Sequence, residues 1–239
     1  MPFALLLPAA GSGTRFGGGG SDKLLADLSG LSVLARSALL FASRPDIALI
    51  LIITSPDRFD PYQQHLAPLL PKSTRLLFTA GGRERWESVL LGLRHLNSLD
   101  SPPTHVAVHD AARPLTPQSV IDDAFKTALE KNAALPAIPE PATLKRASPD
   151  GGGGTVAATV DRKNLYQAQT PQCFHLKTLL ASYEKLLSQN QLHDVTDDAQ
   201  VFERTHLPVP LTKGDALNVK ITTPSDLTLA RAILAVANR

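Results

Sequence analysis

Short apolar runs that alternate with amphipathic stretches predict an α/β protein, one open sheet with helices on both faces. Three observations carry that expectation. Phe3-Ala4-Leu5-Leu6-Leu7 and Ile47 to Ile53 are unbroken apolar runs, as strands buried on both faces require. Between them Val33, Leu34, Ser37, Ala38 and Phe41 share one helical face. Several predicted strands empty into glycine-rich or charged turns, the edge at which open α/β sheets bind ligands. A chain of 239 residues suits one such domain, spanning 1–239.

The first strand should end at Pro8, which has no N–H for a sheet ladder. Ala9-Ala10-Gly11-Ser12-Gly13-Thr14-Arg15 follows. Its small residues leave room for a ligand against the backbone, and exposed amides in such a turn can cradle phosphate. Arg15 adds a planar, permanently charged fork. A P-loop is excluded, because Lys23 is followed by Leu24 rather than Ser or Thr. The dinucleotide fingerprint would need its third glycine at Phe16 and an acidic residue near Ile53-Thr54-Ser55, so NAD binding is a poor fit. An ordinary strand-turn with glycines for geometry remains the alternative. Gly17 to Gly20 carry a large unfolded-state entropy and are expected to be mobile until a ligand orders them. Lys23 then either closes over that ligand or is a solvated loop lysine.

Ser32 is placed to cap a helix running to Phe41. Pro56 to Leu70 begins as a turn and continues as a helix that stops at Pro71, and Arg75 to Phe78 is a third strand. Thr79-Ala80-Gly81-Gly82 leads into a helix whose Trp86, Val89, Leu90, Leu93 and Leu96 face the sheet. Ser88 is too deep in that helix to cap it and reads equally as a ligand contact or a helix-face hydroxyl; Trp86 reads as core. His105 to Val108 is a fourth strand, finished by His109-Asp110-Ala111-Ala112-Arg113-Pro114. A carboxylate and a guanidinium three residues apart suit a divalent cation or substrate hydroxyl plus a phosphate, or else a local ion pair. His109 reads as scaffold. Thr116 should cap a helix opened by Pro117 and reaching about Thr127.

From Ala133 to Thr159 four prolines and the Gly151 to Gly154 run separate two β-like pieces, Ala134–Ile138 and Thr155–Val160. Residues 136–161 therefore read as a projecting hairpin arm with little core of its own, suited to pairing with a second subunit. Leu165 to Thr170 returns to the sheet, and Cys173 reads as a buried small hydrophobe. Leu176 to Leu187 is an amphipathic helix. Thr196 should cap the next, with Asp197 and Asp198 at the favourable end of its dipole. Leu207 to Leu211 is a late strand and Asn218 to Thr222 a short strand or turn. Thr223 should cap the last helix, which has Pro224 in its first turn and reaches Ala237.

Composition narrows the function. Net charge is +2 with pI near 8.7, and no basic tract of the kind non-specific nucleic-acid binding needs is present. The single cysteine excludes an intrachain disulfide and fits a reducing compartment. No apolar run approaches the roughly 20 residues of a membrane span, and no basic n-region precedes a cleavable apolar segment. A soluble, cytoplasmic protein that binds neither nucleic acid nor membrane is expected, with no further domain after the last helix.

LLPAAGSGTRF, TAGGRERWESVLLGL, VHDAARP, PATLKRA, VDRKNLYQAQTPQCF, VTDDA and LNVKIT occur in this order from residue 5 to 222. Together they resemble the 2-C-methyl-D-erythritol 4-phosphate cytidylyltransferases of the non-mevalonate isoprenoid pathway. The resemblance implies a Rossmann-like three-layer nucleotidyltransferase sheet with a β-hairpin arm for dimerisation. It implies attack of the substrate's phosphate on the α-phosphorus of CTP, with Mg²⁺, and loss of pyrophosphate. Arg15, Lys23, Lys220 and Arg162 then resemble the catalytic cations. Ala9, Ala10, Gly11, Gly13, Gly81, Gly82, Ser88, Asp110 and Ala111 look like nucleotide contacts, and Asp110 like the carboxylate near the metal. Asp110, Arg113, Thr143, Arg162 and Thr170 look like the methylerythritol phosphate site, Thr143 and Arg162 reaching it from the partner subunit. Two departures stand out. Asp22 replaces the family's usual proline and sets an anion beside an anionic site, so Lys23 is expected to be poorly preorganised. Arg83 follows the glycine pair where relatives often carry an acid. A ribitol 5-phosphate cytidylyltransferase and a non-catalytic nucleotide-binding protein of the same fold are the rivals; retention of Arg15, Lys23 and Lys220 speaks against the latter.

Overall fold

A computed structural model describes residues 2–11, 22–148 and 154–237. Gly13, Arg15, Gly17 to Gly20 and Gly151 to Gly153 lie outside the described residues. Strand β1 (Phe3–Pro8) is followed by a 3-10 turn (Lys23–Leu25), the short strands β2 (Asp27–Leu28) and β3 (Leu31–Ser32), and helix α1 (Val33–Ala42). Next come β4 (Ile47–Thr54), α2 (Phe59–Leu66), β5 (Leu76–Ala80), α3 (Arg85–Asn97), β6 (His105–Val108) and α4 (Gln118–Lys131). The second half adds β7 (Ala133–Pro139), β8 (Leu144–Ala147), β9 (Val156–Val160), β10 (Tyr166–Ala168) and β11 (Gln172–His175). It closes with α5 (Leu176–Ser188), α6 (Asp198–Arg204), β12 (Leu211–Lys213) and α7 (Pro224–Ala237).

The main sheet runs β10-β7-β11-β6-β1-β4-β5, with β12 beside β7. Strands β6, β1, β4 and β5 are parallel, whereas β11 is antiparallel to both its neighbours. The chain passes from β1 to β4 on one side and later takes up β6 on the other. That reversal opens a crevice at the carboxyl ends of the parallel strands. Side chains of β1 alternate between two cores, as a strand's two-residue period dictates. Phe3, Leu5 and Leu7 pack with α1, α2, α4 and α7, while Ala4 and Leu6 pack with α3, α5 and α6. Helices therefore cover both faces, and three layers result. No described helix is long and apolar enough to cross a membrane.

Local capping signals hold at two helix starts and give way at two others. The Ser32 hydroxyl accepts from Ala35 N at 3.0 Å and starts α1. Thr223 and Asp226 bond reciprocally at the head of α7, with Asp226 N donating to Thr223 and the Thr222 and Thr223 amides donating to Asp226. Thr116, by contrast, does not cap α4: its hydroxyl donates to the buried Asn218 Oδ1 at 2.8 Å, and Pro117 opens the helix without a side-chain cap. Asp197 rather than Thr196 caps α6, accepting from Gln200 N at 3.0 Å. The late strand begins at Leu211, beyond the expected Leu207 start, and 218–222 carries no strand.

The segment read as an arm also divides differently. Ala133 to Pro139 is a main-sheet strand, and the separate antiparallel ladder pairs β8 with β9 from Leu144↔Val160 to Ala147↔Val156.

Gly92 shows how tightly α3 lies on the sheet. A Cβ there would sit 2.6 Å from Ile53 Cδ1 and 2.8 Å from Leu6 Cδ1, two fully buried side chains. Alanine gains about 1 kcal/mol of helix propensity, while overpacking costs about 1–3 kcal/mol. Gly92→Ala should therefore be destabilising by about 1 kcal/mol, lowering the urea midpoint at unchanged slope. An unchanged or raised midpoint would refute this packing account.

Candidate active site

The crevice is a cleft of about 400 Å³ lined by Pro8 to Gly11, Lys23 and Leu24, Gly82 to Arg85, Ser88, Asp110 to Ala112, and Lys220. Three strand ends supply its walls, and the 218–222 loop and the Lys23 turn close over them. At its centre Asp110 Oδ2 lies 2.9 Å from Lys220 Nζ and 3.2 Å from Arg113 Nε. Burial alone would raise the pKa of this carboxyl, but Lys220, Arg85 and Arg113 outweigh it and hold the group below the usual carboxylate range. Asp110 is therefore an anion at any working pH.

A closed ring of bonds holds it in place. Asp110 N donates to Thr170 Oγ1 at 3.1 Å, and Thr170 Oγ1 lies 3.0 Å from His109 Nδ1. His109 Nε2 lies 3.0 Å from Arg113 O, and the Arg113 guanidinium returns to Asp110. A carbonyl can only accept, so Nε2 carries the ring proton and Nδ1 accepts from the Thr170 hydroxyl. The imidazole is thus neutral, and burial pushes its pKa down to about 4.

The Lys220 loop is latched to the same strand end. Asn218 Nδ2 donates to Thr170 O at 2.9 Å and to Gln169 Oε1 at 3.2 Å. Arg113 Nη1 donates to Asn218 O at 2.7 Å, and Ile221 N donates to Ala112 O at 2.8 Å. Lys23 approaches from the other side, its Nζ 3.5 Å from Ile221 O. Asp22, expected to disturb it, is not among the cleft-lining residues; Leu24 N, Tyr62 and Arg58 engage its carboxylate.

The remaining wall is the turn from β5 into α3. At Gly81 a Cβ would come within 2.6 Å of Ala10 Cβ, so the glycine lets the first loop and this turn touch. Gly82 N donates to Ser88 Oγ at 3.0 Å, and that hydroxyl donates to Glu84 O at 3.1 Å, closing the turn. Arg85 was missed in the sequence, where nothing separated it from Arg83 two residues earlier. Its Nη2 lies 2.7 Å from Asp198 Oδ2, while Nη1 is buried with no hydrogen-bond partner among the described residues. Asp198, fully buried, also accepts from Tyr183 Oη at 2.6 Å. In the sequence it reads only as an aspartate at the favourable end of a helix dipole.

Of the other expected residues, Ala9 and Arg83 line the cleft, whereas Thr143, Arg162 and Thr170 do not. Ala9 is a wall residue whose N donates to Ile53 O and whose carbonyl accepts from Thr54. The Thr170 hydroxyl is committed to Asp110 and His109. Thr143 and Arg162 are exposed and do not line the cleft; the Arg162 guanidinium donates to Pro141 O. Arg83 is exposed, its amide bonded to Glu87.

Comparison with known proteins fits this geometry. The family model described as "IspD: 2-C-methyl-D-erythritol 4-phosphate cytidylyltransferase" matches residues 3–236. A curated protein of that name from Rhodopirellula baltica is 38% identical, over 97% of this chain and 94% of its own length. Its namesake from Synechococcus elongatus is 41% identical, over 96% and 95%. Among solved structures, the 4-diphosphocytidyl-2C-methyl-D-erythritol synthase of Anaerococcus prevotii superposes with a TM-score of 0.80 at 27% identity, covering 98% of both chains. The 2-C-methyl-D-erythritol 4-phosphate cytidylyltransferase of Francisella tularensis gives 0.79 at 26%, covering 97% and 99%.

The neutral imidazole in the ring makes a pH prediction. Between the ordinary value of 6.5 and about 4, the unfolded chain protonates this histidine and the folded chain does not. Stability should therefore fall with falling pH in that window, by up to about 1.4 kcal/mol per pH unit from this group. His109→Gln should flatten the slope of unfolding free energy against pH there. An equally steep slope in the variant would remove His109 as its source.

Proposed function

The chain belongs to the 2-C-methyl-D-erythritol 4-phosphate cytidylyltransferase family, and from that premise we propose how its cleft performs the reaction. The enzyme joins CTP to 2-C-methyl-D-erythritol 4-phosphate, giving 4-diphosphocytidyl-2-C-methyl-D-erythritol and pyrophosphate in isoprenoid biosynthesis. The observation that carries the mechanism is the convergence of Lys23, Lys220 and Arg85 on one cleft, with no activated nucleophile among the described lining residues. Ser88 is the only hydroxyl among the described lining residues, and it bonds to backbone rather than to a base.

None is needed. A phosphate monoester with a second pKa of about 6 is already largely a dianion at neutral pH. One of its oxygens attacks the α-phosphorus, the bond to the bridging oxygen of the β-phosphate breaks, and pyrophosphate leaves. The protein's task is alignment and the offsetting of crowded negative charge. Lys23 and Lys220 supply that charge, Asp110 fixes where Lys220 sits, and Arg15 is assigned beside them by the resemblance. Ala10, Gly11, Gly13 and Ala111 are assigned to the nucleotide's phosphates and ribose, and Gly81, Gly82 and Ser88 to its base. Arg113 and Thr170, already engaged, fit a role in fixing Asp110 and the Lys220 loop.

For Mg²⁺ the donor set matters. The described residues hold no cluster of three or more metal-ligating side chains. One carboxylate, Asp110, fits an ion carried mainly by the nucleotide's phosphates, the usual habit of Mg²⁺. Such an ion would offset phosphate charge alongside the lysines. Thr143 and Arg162 are assigned to the methylerythritol phosphate site of a second copy, in a homodimer built through the β8–β9 ladder. Exposed Val156 on β9 and Tyr166 on β10, the next strand in sequence, support that reading, being 63% and 48% accessible. We place the enzyme in the cytoplasm, because both substrates are multiply charged and stay in the compartment that makes them.

Purified protein with CTP, Mg²⁺ and methylerythritol phosphate should release pyrophosphate, and should not with ribitol 5-phosphate. Lys23→Ala and Lys220→Ala should each lower kcat by about 10²-fold or more while circular dichroism is unchanged. Release with ribitol 5-phosphate alone would overturn the substrate, and unfolded variants would overturn the roles of the lysines.

A further inference from the structure

Asp22 precedes Lys23 where the resemblance implies a proline, and the structure shows how the aspartate is held there. Asp22 has φ −72° and ψ 108°, and that φ lies in the range proline's ring would impose by itself. Here side-chain contacts produce it. Asp22 Oδ1 accepts from Leu24 N at 3.0 Å and caps the 3-10 turn that carries Lys23. Asp22 Oδ2 accepts from the Tyr62 hydroxyl and lies 3.6 Å from Arg58 Nη1. The Tyr62 ring is fully buried in the core beside α1, so its hydroxyl is a fixed point. Leu24 is buried in the same core and pins the turn from its other end.

We propose that Asp22 is a positioning residue for Lys23: clamped by Tyr62 and Arg58, it fixes the turn that presents the lysine to the cleft. Both of its oxygens are engaged, so its charge is offset locally before any phosphate arrives. The line of force runs from α2 through the Tyr62 hydroxyl to Asp22, then through the capped turn to Lys23, whose Nζ reaches Ile221 O next to Lys220. A solvated aspartate would do the opposite, repelling the nucleotide and leaving the turn loose. The proposal rests on the assignment of Lys23 to the reacting phosphates, and its test includes a reading that does not depend on turnover.

Asp22→Ala, Asp22→Pro and Tyr62→Phe, singly and with Tyr62→Phe in the Asp22→Pro background, are compared in two assays. The first is limited trypsinolysis, following the cut at Lys23–Leu24 by mass against a denatured control. The second is steady-state pyrophosphate release. Asp22→Ala should speed the cut and lower kcat by about tenfold each, the effect of losing a charge-assisted bond. Asp22→Pro should restore both to within about threefold of the parent, since the ring supplies the lost geometry. Tyr62→Phe should have its effect in the parent and none in Asp22→Pro, because the hydroxyl then has nothing to hold. The proposal falls if Asp22→Ala matches the parent, if proline fails to rescue, or if Tyr62→Phe costs the same in both backgrounds. A parent that releases no pyrophosphate would overturn the function instead, while the cut rates would still decide the clamp.

Discussion

Cations that are to receive two polyanions must be gathered at one place, and before either substrate arrives they repel one another. Asp110 is the counter-charge that lets them gather. Its Oδ2 sits 2.9 Å from Lys220 and 3.2 Å from Arg113, with Arg85 close enough to lower its pKa further. The carboxylate can do this only if its backbone is immobile. The ring through Thr170, His109 and Arg113 provides that, and it works only while the imidazole is neutral, since a protonated Nδ1 could not accept from Thr170. Burial of His109 in the first core is thus a condition for ordering the site, which links packing to chemistry through one proton.

The walls follow the same logic. Asn218 ties the Lys220 loop to the strand end through four bonds, donating to Thr170 and Gln169 and accepting from Thr116 and Arg113. Opposite, Asp198 holds Arg85 by a buried ion pair. Such pairs seldom stabilise a fold, because desolvation offsets most of their attraction. Here Tyr183 satisfies the other carboxylate oxygen, and Gln172 accepts from the Asp198 and Ala199 amides. A carboxylate so held fixes the orientation of its partner, and that partner is a cation that lines the cleft.

The layers and most elements were legible because they rest on local pattern: unbroken apolar runs in β1 and β4, helical spacing in α1, α3 and α5. Four-residue β11 was not, since a strand that short and antiparallel between two others has no period to read. Caps were legible where a distant partner did not displace the helix amide. Ser32 keeps its bond from Ala35 N although His65 Nε2 also lies 2.7 Å from its hydroxyl, but Thr116 met Asn218 across a hundred residues of chain, and no local rule can see that. The cleft's loops could be found from their glycines and charges. Arg85 and Asp198 could not be paired, because they lie on different helices and look like surface residues in sequence. For Thr143 and Arg162 the sequence offered only the resemblance, and both lie away from the cleft within a single copy.

Asp22 shows most plainly what sequence leaves out. Counted as a charge, it opposes every phosphate the cleft should bind. Placed among its partners, it is one of three aspartates around the cleft, with Asp110 and Asp198, each already bonded to an arginine or lysine. None presents an unbalanced negative charge to a nucleotide. What each contributes is direction, because an ionised carboxylate grips a cation or an amide more strongly than a neutral group can. A site that must attract anions can therefore be built with anions, provided each is matched locally and the lysines are left facing inward.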